Sequence, residues 1–235
     1  MLRSSMLHHA ARAVPWPLVA AASLLITGLL AAVRYDSWTL WPLQGTAVGL
    51  LAGAVGWCLD EPAAAVVDPA PRGLAWRTLA RTAGIAPLLA AWCAAVWWAR
   101  ADLYGHPWAV LVQGFAAATV ATAWVTRRRA AGEATPGQRW AIVVVPVTTA
   151  WALVRPVEEH LPVFPYGYGD AFGDWTISSA GWAVTGLTAA LMLAATLIRD
   201  GRPWYRPRAG RPSGISGSGH RDQRRDQPVL DRGGG

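Results

Sequence analysis

Lysine is absent from this sequence, so all 21 residues in the Lys+Arg total are arginines. A phosphate loop of the Walker A type needs a lysine to reach the nucleotide phosphates, so the chain holds no standard site of that kind. Charge of either sign is scarce: Asp, Glu, Lys and Arg make up 15% of the 235 residues, against roughly a quarter in soluble proteins. Cysteine is limited to Cys58 and Cys93, both inside apolar runs. That pattern reads as small packing residues, not as a disulfide framework or a metal site. There is no HExxH motif. Glu158-Glu159-His160 is an acid/histidine cluster in a loop, but one histidine beside two acids is weak grounds for a metal. It leaves a metal-dependent enzyme as the last-ranked class. Ser178-Ser179 and Gly214-Ile215-Ser216-Gly217 have neither a base nor a helix to hold them. No catalytic, cofactor-binding or metal-ligating residue is assigned, and the chain is not expected to be an enzyme.

What the sequence has in quantity is apolar surface: 53% hydrophobic residues and 15 tryptophans. The apolar residues fall into six runs, over 14–33, 40–59, 82–99, 107–125, 140–154 and 179–198. Each approaches the 17–25 residues, roughly, that a helix needs to cross a bilayer, apart from the fifth. That run is short and carries Pro146, and Arg155 can extend it by snorkelling. The first run is too long for a signal peptide core and leads to no small-x-small cleavage site. The expected fold is all-α: a polytopic six-helix transmembrane bundle over 14–198, after a segment 1–13 and before a tail 199–235. The tail is rich in Arg, Gly, Pro and Ser without apolar periodicity, and is expected to be disordered.

The arginines set the expected orientation. Eighteen of the 21 lie before the first run, after the second, after the fourth or after the sixth. The positive-inside rule then places both termini in the cytoplasm. Most tryptophans lie near run ends, as an interfacial belt would, while Trp92 and Trp151 lie deeper. Tail arginines such as Arg199, Arg202 and Arg206 should attract anionic lipid. Nothing in the tail has the aromatic interleaving or scaffold of a nucleic-acid binder. The loop 155–178 is rich in Pro, Gly and aromatics. It reads first as an interfacial loop anchored by Tyr166, Tyr168, Phe172 and Trp175, and second as a ligand site.

No ionisable side chain falls in the middle of a run, whereas proton-coupled carriers usually keep one at mid-depth. Gln44 and Gln113 can bond between helices or line a path, with interhelical bonding the favoured role. Gly45, Gly49 and Gly53 recur every fourth residue and clear one helical face for close approach of a neighbour. That neighbour can be another helix of the chain or a second subunit.

One stretch has local design. Asp60-Glu61-Pro62-Ala63-Ala64 separates the second and third runs and leads to Asp68-Pro69-Ala70-Pro71-Arg72, then Arg77 and Arg81. Asp60 suits a helix N-cap and Pro62 a first turn. The later prolines end the helix, because the residue before each is pushed out of the helical region. A short cytoplasmic helix over 63–67 is expected, placed to meet a partner.

With that motif and topology the chain resembles the permease subunits of ATP-binding-cassette exporters of the ABC-2 type. The likeness is to a bacterial six-span group with Asp-Glu/Asp-Pro-Ala-Ala after span two. The resemblance implies a plasma-membrane protein whose loop of Asp60, Glu61, Pro62, Ala63, Ala64 and Arg72 docks on a separate ATPase. It also implies pairing as a homodimer or with a related chain, and export of a hydrophobic or amphiphilic substrate. The competing class is a non-transport membrane protein (an immunity, anchor or scaffold subunit), in which the same stretch is only a connector.

Overall fold

The computed structural model describes residues 13–60, 74–154, 162–167 and 174–200. Among them are six α-helices and no strand: α1 Trp16–Tyr35, α2 Leu40–Cys58, α3 Leu74–Trp98, α4 Pro107–Ala130, α5 Pro136–Val154 and α6 Trp175–Asp200. All belong to the compact unit 1–202. The helices α1, α3, α4 and α6 are long and apolar enough to cross a membrane. The helices α2 and α5 have 19 residues each.

Helix ends follow the local chemistry. Pro17 sits in the first turn of α1, Pro107 in that of α4 and Pro136 in that of α5, where the missing N–H costs nothing. The α6 start is capped by Asp174, whose carboxylate accepts from the N–H groups of Thr176 (2.6 Å) and Ile177 (3.0 Å). The α4 end is a Schellman turn. Gly132 adopts φ +88°, its N–H bonds the Arg129 carbonyl at 2.9 Å, and Glu133 N–H bonds the Arg128 carbonyl at 3.1 Å.

Four helices start or end well beyond the apolar runs, and of these the sixth begins at Trp175, four residues before its run. The third begins at Leu74, so Arg77 and Arg81, expected in a loop, lie on α3. The fourth continues through Arg127, Arg128 and Arg129. Arginine is a good helix former, and its charge is favourable at a helix C-terminus. The fifth begins at Pro136, four residues before the apolar run, because a side chain from elsewhere caps it.

The centre of the bundle is α2, which packs on α1, α3, α4 and most extensively α5, while α6 packs chiefly on α4. In lipid, burial of apolar surface does not itself drive helices together, so close packing must do it. On α2, glycine supplies that closeness. A Cβ on Gly45 would lie 2.5 Å from Ala152 Cβ, and one on Gly53 2.9 Å from Val145 Cγ2; at Gly49 it would meet Thr148 Oγ1. The glycine face therefore meets α5 of the same chain. Gly56 extends it, with Trp140 as its neighbour. Between α3 and α4 the fully buried Trp92 indole lies against Gly114.

Candidate functional site

Two polar constructions stand out, one at each end of the bundle. The first lies where α2 and α4 end and α3 and α5 begin. Asp60, two residues past the end of α2, is buried. Its Oδ1 accepts from Gly137 N–H at 2.6 Å and its Oδ2 from Gln138 N–H at 2.7 Å. These are first-turn donors of α5, which the helix itself cannot satisfy. The Asp60 carbonyl accepts from the buried Arg81 guanidinium, which also reaches the Cys58 carbonyl at 3.3 Å. Arg129 donates to the Leu59 carbonyl at 2.9 Å. The carbonyl end of α2 is thus met by two cations, and the N–H end of α5 by one carboxylate, each matching the helix dipole. Four helices are joined at one point.

Geometry explains the residue types. A Cβ on Gly137 would run into the Gly56 carbonyl and lie 2.9 Å from Asp60 Oδ1. Only glycine lets the start of α5 approach that closely. Burial pushes the Asp60 carboxyl above its ordinary 3.8, although the Gly137 and Gln138 N–H groups, and then Arg129 and Arg81, pull the other way. Beside this latch Glu133 holds Arg128 and Arg139, each at 2.8 Å. Trp140 Nε1 donates to the Ala52 carbonyl at 3.1 Å, fixing α5 along α2.

The second construction lies at the opposite end. Gln44 Nε2 of α2 donates to Gln113 Oε1 of α4 at 2.5 Å, both fully buried. Gln113 Nε2 meets the Ser178 hydroxyl of α6 at 3.4 Å, and that hydroxyl donates to the Val163 carbonyl at 3.1 Å. Trp182 Nε1 donates to the same carbonyl at 2.9 Å. Segment 162–167 roofs this chain. Phe164 is buried against Trp182, with ring centres 5.8 Å apart, and Tyr166 packs edge-on to Trp38 at 5.6 Å. Trp175 is buried and stacked on His106 at 4.7 Å. Tyr166 and Trp175, expected as anchors in the membrane surface, therefore pack on protein. Their rings find aromatic partners at the bundle end. Tyr168 and Phe172 lie outside the described residues.

Of the coupling residues read from the sequence, Asp60 is described, and Glu61, Pro62, Ala63, Ala64 and Arg72 lie outside the described residues. Asp60 is a helix cap, and its carboxylate caps α5; the helix expected to follow it lies outside the described residues. The Glu158-Glu159-His160 cluster also lies outside the described residues. Among those described, no group of three or more His, Cys, Asp or Glu could hold a metal ion. Sequence reading put Arg81 in the cytoplasmic stretch without its bonds to the end of α2, and gave Arg129 and Gly137 no role in the junction. The Thr135-Pro136-Gly137 start signals a helix N-terminus, but not that an aspartate 77 residues away caps it.

An all-helical fold with four helices long and apolar enough to cross a bilayer defines a helical membrane protein. No known protein family, curated protein or solved structure matches the chain.

Proposed function

We propose that the chain is the membrane-spanning permease subunit of an ABC-2-type ATP-binding-cassette transporter. In this reading α2 and α5 are spans like the other four, and the arginine-rich end, with both termini, faces the cytoplasm. A separate ATPase docks on segment 61–72, and the unit works as a homodimer or with a related chain. The observation that carries the reading is the Asp60 latch. Segment 61–73 leaves from a residue bonded to α3 and α5 and re-enters at the buried Leu74. A force applied to it would move α2, α3 and α5 together, as a coupling loop requires. A mere connector has no need of such attachment.

The interior bears on the cargo. Among the described residues the buried polar side chains are Gln44, Asp60, Arg81, Gln113, Thr126 and Ser178, and the two charged ones belong to the latch. With no Asp, Glu, Lys, Arg or His at mid-depth in these helices, a path along them suits a hydrophobic or amphiphilic substrate better than a small ion.

The test is co-purification from the native membrane in mild detergent. A stoichiometric ATP-binding-cassette ATPase should accompany the wild type and be lost in Glu61→Lys, with the melting temperature unchanged. Recovery of the chain alone would sink the permease reading in favour of the immunity, anchor or scaffold class.

A further inference from the structure

Between α4 and α6 lies a cavity of about 550 Å³. One wall is Val120, Ala123 and Trp124, the other Val184, Thr188 and Met192, and Arg127 and Arg128 stand at the arginine-rich mouth. The groove is open sideways: Val184 is 65% exposed and Met192 42%. Its α6 wall runs from Val184 to Met192, about 12 Å along a helix. That is close to the roughly 15 Å thickness of one leaflet's hydrocarbon. The Thr188 hydroxyl is turned back on the Val184 carbonyl at 2.8 Å, so it adds little polarity. No acidic side chain lines the groove. Arg128 is held by Glu133 and by the Trp124 ring, 5.4 Å from its guanidinium carbon. Arg127 is exposed and pairs with no carboxylate among the described residues.

We propose that this groove binds one anionic phospholipid, with an acyl chain between α4 and α6 and its phosphate at Arg127. An apolar slot about a leaflet deep, ending in a cation at headgroup depth, complements that molecule and not a neutral one. The site is distinct from the tail arginines, for which the sequence reading expects a general attraction to anionic lipid. It does not depend on the transport reading.

Native mass spectrometry tests it. The full-length protein is equilibrated in mixed micelles holding equal amounts of dioleoylphosphatidylglycerol and dioleoylphosphatidylcholine. The wild type should retain one phosphatidylglycerol, favoured about fivefold, the worth of one well-placed cation near a surface. Arg127→Gln should bring the two lipids to parity with no change in melting temperature. Thr188→Trp, at an exposed position, should fill the slot and remove the adduct while every arginine remains. Preference surviving Arg127→Gln overturns the proposal, and should Thr188→Trp not fold, that variant alone decides. An adduct unaffected by a folded Thr188→Trp overturns it as well. So does displacement by millimolar inorganic phosphate, since the site would then bind the ion alone.

Discussion

Replacing Asp60 with alanine removes the carboxylate that caps the first-turn N–H groups of α5 at Gly137 and Gln138. Gly137 is buried close against Gly56 and Gln138 is half-buried. Each buried donor left unpaired costs about 1–3 kcal/mol, so the two give up to about 6 kcal/mol. Part of this is offset, because the variant no longer buries a carboxylate whose protonation is already favoured by burial. A net loss of about 2–4 kcal/mol remains, the upper range of a lost helix cap or beyond. By the scaling for chains of 150–250 residues this lowers the melting temperature by roughly 4–16 °C. Tryptophan fluorescence during thermal unfolding in mild detergent reads it directly, since Trp140 and Trp124 pack together beside the junction, 5.1 Å apart. Asp60→Asn keeps one acceptor and should lose about half as much. The acid range supplies a second check. With its folded value raised, the Asp60 carboxyl contributes most below its ordinary 3.8, and the contribution is lost as pH rises through the folded value. The wild type should therefore lose ground to Asp60→Asn as pH climbs from below 4, and hold a constant difference once above the folded value. A melting temperature for Asp60→Ala within a degree of wild type would refute the latch.

Gly49→Ala should cost about 1–3 kcal/mol in the same melt, because the added methyl meets Thr148 Oγ1; Gly28→Ala, with open space around it, is the control and should cost nothing, since alanine is the better helix former. Gln113→Leu should destabilise by about 1 kcal/mol or more by stranding buried Gln44, and Gln44→Leu added to it should cost less than the two single changes summed, since both partners of the 2.5 Å bond are then gone. A double-mutant cycle giving simple additivity would count against that pair. Orientation is read with a membrane-impermeant maleimide on intact cells bearing Asp102→Cys or Glu133→Cys: the first should label and the second should not, and the reverse pattern would invert the proposed topology.

The amino-acid order alone carried a good deal of this. Apolar runs separated by arginines required membrane-length helices, because a backbone in lipid must satisfy its own hydrogen bonds and a helix does so within one segment. The spacing of Gly45, Gly49 and Gly53 required a neighbour at close range, since three missing side chains on one face leave a groove whatever fills it. Cap and turn chemistry was legible too, as at Asp174 and Gly132, where the bonds close within a few residues.

What stayed hidden was every choice of partner. That α5 fills the glycine groove, that Gln44 finds Gln113, and that Asp60 caps the helix starting at Pro136 are contacts across 69 to 107 positions of chain. Local rules see an aspartate before a proline and supply the nearest helix. The fold brought a second helix start, that of α5, within reach of the same carboxylate, 77 residues on. The same holds for Arg81: composition places it in a charged loop, but only the packed junction offers it the Cys58 and Asp60 carbonyls that make burying a guanidinium tolerable. Sequence determined that this chain lives in a membrane as helices, because that depends on sums over local residues. Tertiary structure decided which helix ends are tied together, because that depends on which unsatisfied groups meet.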